Sequence, residues 1–354
     1  MNPYEGLPAQ RFWKASARHP DELDVDFDCG RKFAFRPQDA FATMGSCFAQ
    51  HIARELAERG GRQVVTESRH PLEPADRNLG YGVFPARFGN IYTARHLREL
   101  VEQALGERAP VRDFARRADG RWVDLLRPRA VPHGFASVDH ASADRDYHLT
   151  AVRRMIEAMD VLVFTLGLTE SWENIEHGHA YPIVPGAVAG EFEGARHRFT
   201  NHAVRDVVAD LERVAALVAA RSPVARILLT VSPVGLVATA EPRSVMVSTV
   251  ASKSVLRAAA DELARNHGHI DYFPSYEIVT GACARGRYWA DGLREVTPEG
   301  VATVMRVFMA SRLPALVLVQ GEGAAPGATV PDQSAESLAR ALEAECDEQF
   351  LDRS

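Results

Sequence analysis

Gly45-Ser46-Cys47 sets a hydroxyl and a thiol side by side. They stand where a short apolar run from Phe41 gives way to a helical pattern through Ile52, Leu56 and Ala57. A strand that turns into a helix puts its turn residue at a sheet edge, where unpaired N–H groups meet the positive end of the helix dipole. A hydroxyl there could attack an acyl carbon while those N–H groups hold the developing oxyanion. The same Ser46 could instead cap the helix, among the commonest uses of serine in that place. Cys47 also has two readings, a thiol of lowered pKa at a helix start or a small buried residue. His177-Gly-His179 with Glu173 or Glu176 offers metal-ligand types, set against a pair of solvated loop histidines. Ser252-Lys253-Ser254 has the types of a serine–lysine dyad but falls in an amphipathic helix, where a surface or salt-bridging lysine is expected. Gly80-Tyr-Gly82 lacks the strand and helix that a dinucleotide loop needs, so nucleotide binding is set aside. No metal and no cofactor is expected.

Positioning these groups takes a sheet. Val161–Leu166 is a continuous apolar run of the kind found in buried parallel strands. Further strands are expected from about residue 39, over 63–66, 225–231 and 270–273, with a hairpin in 111–127 around Asp119-Gly120. Helices are expected over 47–59, 94–105, 143–159, 203–220, 244–267 and 297–311. Residues 167–202 read as one long loop, of a length that usually serves a function, and 274–296 as a polar loop. Strands alternating with helices mean an α/β fold with a mainly parallel sheet. Sites in such sheets form outside the carboxyl ends of the strands. Ser46, the stretch Gly167-Leu-Thr169-Glu170, Ser232 and the loop with Tyr276, Glu277 and Asp291 should therefore share one rim. His177, His179, His197 and His202 would lie within reach of it.

Three parts are expected: an arm over 1–35 packed on the core, an α/β domain over 36–318, and a linker with one acidic helix over 319–354. A net charge of −6 argues against a general nucleic-acid or membrane-surface binder. The only lysines are Lys14, Lys32 and Lys253, and four cysteines far apart form neither a zinc pattern nor a disulfide framework. Neither a signal peptide nor a membrane-length apolar run is read, so a cytoplasmic protein is expected. The oligomeric state is left open.

The motifs, taken together, resemble the GSCFA family. They are Gly45-Ser-Cys-Phe-Ala49, Phe88-Gly-Asn-Ile-Tyr-Thr93, Val163-Phe-Thr-Leu-Gly-Leu-Thr-Glu-Ser-Trp172, Leu229-Thr-Val-Ser-Pro-Val234, Ser252-Lys-Ser-Val-Leu-Arg257, Tyr272-Phe-Pro-Ser-Tyr-Glu-Ile278 and Leu293-Arg-Glu-Val296. That family is similar to the SGNH (GDSL-type) hydrolases. The resemblance implies a three-layer α/β/α sandwich and a serine nucleophile, here Ser46. It implies oxyanion donors from the N–H groups of Ser46 and of Gly89, with Asn90 beside it, and from a third block that here reads Gly167-Leu-Thr169, with Thr169 where the family pattern has asparagine. Glu170 and Tyr276 join them as substrate-binding residues on the same rim. An Asp-x-x-His block is implied, but Asp291-Gly-Leu-Arg294 stands there, followed by Glu295. Arginine stays protonated and cannot act as a base. Asp291, Glu295 or a histidine from 167–202 would then take the proton, or the site would bind without turnover. The implied function is an acyl-ester hydrolase or O-acyltransferase acting on a small or carbohydrate-linked acyl group. The alternative is a binding protein on a degenerate hydrolase fold, associated with polysaccharide or natural-product assembly.

Overall fold

The computed structural model describes residues 2–16, 27–28, 30–69, 80–319 and 350–351. The acidic helix expected within 319–354 lies outside the described residues. In chain order the strands are β1 (Ala40–Gly45), β2 (Arg62–Gln63), β3 (Phe114–Arg116), β4 (Trp122–Asp124), β5 (Val161–Leu166), β6 (Glu170–Asn174), β7 (His179–Tyr181), β8 (His197–Asn201), β9 (Arg226–Val231) and β10 (Ile270–Phe273). The helices are α1 (Trp13–Ser16), α2 (Phe48–Glu58), α3 (Ala94–Leu105), α4 (Val138–Ala158), α5 (Val204–Arg221), α6 (Val245–Asn266), α7 (Ser275–Thr280), α8 (Pro298–Arg312) and α9 (Pro314–Val319).

Five strands form the central sheet in the order β10-β9-β5-β1-β2, all parallel. Residues alternate between its two faces, as the period of a strand requires. Ala40, Ala42 and Met44 of β1, with Leu162 and Phe164 of β5, pack into the core shared with α3 to α6. Phe41, Val161, Val163 and Leu228 face the opposite core, with Phe48, Ile52 and Leu56 of α2 and Val304 and Phe308 of α8. Every residue of β5 is buried, which explains its run of apolar and β-branched residues. Each fully buried side chain of this size stabilises by about 1.5–3 kcal/mol. The result is three layers, helices on both faces of a parallel sheet.

Helix ends follow local chemistry. Thr93 caps α3 by accepting from the His96 N–H, and Gly106 closes it in a left-handed conformation. Thr297 caps α8 and Pro298 opens it. From β1 the chain runs to β2 on one side and on to β5 on the other, so the β1/β5 junction is where strand order reverses, the place where sites form in open parallel sheets.

Two stretches differ from expectation. Residues 167–202 are not one loop. They contain a three-stranded antiparallel sheet in the order β7-β6-β8. Its strands carry Ser, Glu, Asn, His and Thr, and its pairing rests on hydrogen bonds from elsewhere, such as Asn174 Nδ2 to Asp113 Oδ2 at 3.0 Å. The polar loop expected over 274–296 begins with α7, starting at Ser275, which is buried and donates to the Val231 carbonyl at 2.9 Å. No helix among the described residues is long and apolar enough to cross a membrane.

Candidate active site

β1 ends at Gly45, whose φ is +129°. A Cβ there would come within 2.2 Å of the Thr165 carbonyl oxygen, so only glycine lets β1 close against β5 at this point. The next residue, Ser46, donates its N–H to that carbonyl at 3.1 Å. The N-cap of α2 is Cys47, half-buried and without a side-chain cap. Ser46 Oγ is buried and has no hydrogen-bond partner among the described residues, so it does not cap the helix. Thr165 Oγ1 and Ser232 Oγ are likewise buried and unpartnered among the described residues. Three hydroxyls thus stand unbonded at the carboxyl ends of β1, β5 and β9, although burying a polar group without a partner costs about 1–3 kcal/mol.

The segment 88–93 lies along this edge. Ile91 N–H donates to the Gly45 carbonyl at 2.8 Å, which places Gly89 and Asn90 beside the end of β1. Asn90 is buried and Gly89 has φ +74°. The Gly89 N–H donates to no backbone group among the described residues. The segment is anchored by Arg87, whose Nε meets Glu67 Oε1 and whose Nη2 meets Asp144 Oδ1, both at 2.8 Å. His148 Nδ1 approaches Glu67 Oε2 at 2.7 Å. Burial alone would raise the Glu67 carboxyl, but His148, Arg127 and Arg87 outweigh it and hold the group below its usual range. Burial, helped by Arg127, lowers His148 to about 4. Removing one member of such a buried pair costs about 3–5 kcal/mol.

Gly167 and Thr169 reach the rim, but their donors are used internally. The Gly167 N–H goes to the Tyr92 carbonyl at 2.9 Å. The Thr169 hydroxyl is bonded to Asn201 Oδ1 at 2.7 Å and Ser252 Oγ at 3.1 Å. The Thr169 hydroxyl is therefore already engaged within the protein. Lys253, expected at the surface, is 1% exposed, and its Nζ donates to the Gly167 carbonyl at 2.6 Å. Glu170 is half-buried, its carboxylate held by Thr239 Oγ1 at 2.7 Å, and burial raises its pKa.

After β10, Tyr276 packs on the α3–α6 core, and Glu277 accepts from Tyr272 OH at 2.8 Å and pairs with Arg257. Asp291 and Glu295 are exposed. Arg294 between them donates to the Gly235 carbonyl at 3.0 Å, which ties their segment to the loop leaving β9. Neither carboxylate is hydrogen-bonded to Ser46.

The histidines divide. His177 is exposed, whereas His179, His197 and His202 are buried in or beside the small sheet rather than solvated in a loop. His179 Nε2 lies 3.2 Å from Asp113 Oδ2. Among the described residues no group of three or more His, Cys, Asp or Glu is placed to hold a metal. His202 Nε2 lies 3.0 Å from Ser171 Oγ, a pair that sequence reasoning misses. Only the register of β6 against β8, Ser171 opposite Thr200, reveals it. Ser171 lines a cavity of about 260 Å³ on the same rim, walled by Tyr92, Leu168, Trp172, Phe199 and Leu236.

Two solved structures are distantly similar to the chain. One is provisionally described as a platelet activating factor from Streptococcus pneumonia, with 15% identity and a TM-score of 0.27. The likeness covers 48% of this chain and 64% of that one, so the chain spans less than two thirds of its length. Another is a mutant acetyl esterase holding an acetate ion, at 10% identity and a TM-score of 0.33, covering 80% of this chain and 100% of that one. Scores this low carry no argument about activity. No curated protein matches the chain. The model of the GSCFA family matches residues 40–308, which span the central sheet, the small sheet and all the rim residues described above, and the chain belongs to the GSCFA family.

Proposed function

We propose that the protein is a serine acyl-ester hydrolase or O-acyltransferase of SGNH type, with Ser46 as nucleophile. The observation that carries this reading is the buried Ser46 hydroxyl, bonded to nothing among the described residues, at the point where strand order reverses. A hydroxyl kept there for packing or capping would have found a partner. Asn90 and the Gly89 N–H, beside the end of β1, are the oxyanion donors, since the Ser46 and Gly167 N–H groups already serve carbonyls. Asp291 or Glu295, on the segment tied to Gly235, accepts the proton. The substrate class is a small acyl ester, including an acyl group carried on a carbohydrate.

The lack, among the described residues, of any base bonded to Ser46 favours a second reading, a protein that binds an acyl group without turning it over. A fluorophosphonate probe decides between them. Ser46-dependent labelling between about pH 6 and 9, lost in Ser46→Ala, supports catalysis, because an assisted nucleophile gains about 10²–10⁴ in rate. Absence of that labelling, with stoichiometric acyl-ligand binding that survives Ser46→Ala, establishes the binding reading.

A further inference from the structure

A cavity lies beside the small sheet, and Ser46 is not among the residues that line it. Its walls are mostly apolar: Leu168, Trp172, Ile183, Val184, Phe199 and Leu236. At about 260 Å³ it is near the lower end of ligand cavities, which run from about 300 Å³ upward. Against those walls stand polar groups. One is His96, buried, with Nδ1 unpartnered among the described residues. Another is the Glu170 carboxylate, held by Thr239. Tyr92, Thr93, Tyr181 and Thr239 also line it, and so does Ser171, 6% exposed, whose Oγ lies 3.0 Å from Nε2 of His202, itself 4% exposed.

That separation falls within the range of about 2.6–3.2 Å for a nucleophile and its base. His202 is fixed by its backbone N–H, which donates to the Thr169 carbonyl at 2.9 Å. Burial, then Arg95, lowers its pKa, so the ring is neutral at pH 7 and able to accept. Glu173 Oε1, at 4.0 Å from Nε2, lies close enough to favour the imidazolium once it forms.

We propose that this cavity is a second acyl site, in which Ser171 is the nucleophile and His202 its general base, acting on esters of short apolar or aromatic acids. In the tautomer protonated on Nδ1, Nε2 accepts the Ser171 proton as Oγ bonds to the acyl carbonyl carbon. Collapse breaks the ester C–O bond, and His202 returns the proton to the departing alkoxide, which leaves as the alcohol. Water then attacks the acyl-serine with His202 again taking a proton, and the acid departs as Ser171 is restored. The cavity's apolar walls reward the loss of water from the acyl group.

Mapping a fluorophosphonate adduct by mass spectrometry on the full-length wild-type chain tests this without requiring any variant to fold. An adduct on the peptide containing Ser171 is the expected result. Its rate should fall about 10²-fold or more in His202→Gln, in line with loss of a general base. A 4-nitrophenyl butyrate burst should likewise leave a butyryl group on Ser171. Label on Ser46 alone, or no label on either serine, overturns the proposal. Label on Ser171 alone upholds it and overturns the Ser46 reading, while label on both upholds both. A His202→Gln variant that melts like the wild type yet labels Ser171 at the wild-type rate removes the base and sinks the pair.

Discussion

Ser46 and Ser171 are both buried serines, one just past a strand of the central sheet and the other within the small sheet, yet each has what the other lacks. Ser46 has the position. It follows a parallel strand at the reversal of strand order, beside Asn90 and the start of α2, and its hydroxyl is unbonded among the described residues. Ser171 has the partner. It sits within an antiparallel strand, bonded to a histidine, among the residues that line a walled cavity. A parallel strand end exposes backbone donors because its ladder stops there. An antiparallel strand spends its donors on its neighbours and brings side chains from distant segments together. The first arrangement offers the donors that a developing oxyanion would need, and the second sets an imidazole beside a hydroxyl. Between the two lies the 167–169 turn, with Tyr92 receiving two N–H groups on one side and Ser252 and Lys253 binding it on the other.

The largest effect should come from Gly45→Ala. The added Cβ meets the Thr165 carbonyl at 2.2 Å, and φ +129° strains any side chain. A loss of about 3–5 kcal/mol in denaturant unfolding is expected, at the upper end for single substitutions. Ser46 labelling should disappear. If enough folded protein remains, Ser171 labelling should survive, because the small sheet does not pair with β1. Equal loss at both serines would show that the two regions are one site.

Much of this layout is legible in the sequence, for reasons that also explain what is not. Val161–Leu166 declares itself because both of its faces are buried and no polar residue interrupts the run before Thr165. The spacing of Phe48, Ile52 and Leu56 declares α2 in the same way. The small sheet is illegible because Glu170–Asn174 and His197–Asn201 follow no apolar alternation. Those strands hold by contacts such as Arg198 Nη2 to Glu173 Oε2 at 2.9 Å and Asn174 to Asp113. Lys253 misleads for a similar reason. Its helical spacing points to a surface, while the carbonyl it serves, that of Gly167, is 86 residues away in sequence. Ser171 falls inside a conspicuous motif, but its partner lies beyond β8 and nothing local marks the pairing.

A smaller effect separates the serines by pH. His202 faces Arg95 from α3, Glu173 from β6, and Asp206 and Asp210 from α5. Burial, then Arg95, depresses its folded pKa below the unfolded value of about 6.5. A histidine depressed in this way contributes stability that is complete above about pH 6.5 and is lost as pH falls through the folded value. Reactivity has the same sign, since only the neutral ring accepts a proton. Ser171 labelling should be flat above about pH 6.5 and decline as pH falls through the lower folded value, and His202→Gln should abolish that decline along with most of the rate. Ser46 labelling should not follow His202. His96 and His148, lowered to about 3 and about 4, should make global stability fall over the same acid range, so rates need to be normalised to the folded fraction. Ser171 labelling that keeps its full normalised rate at every pH at which the chain stays folded would exclude His202 as its base.

The smallest effect concerns the mouth of the cavity. Leu351, near the end of the chain, lines it while remaining 38% exposed. A partly covered leucine gains roughly 1 kcal/mol from burial, less than the full 1.5–3. An acyl chain entering the cavity competes for the same apolar wall, so it must displace that contact. Leu351→Ala should therefore tighten binding of a butyrate ester by up to about fivefold, the factor that roughly 1 kcal/mol represents. The gain should appear in KM for the Ser171 reaction with kcat unchanged, because the side chain is not part of the reacting pair. The same substitution should leave Ser46 labelling where it was. A fall in affinity instead would show that Leu351 forms part of the acyl-binding wall rather than a cover over it.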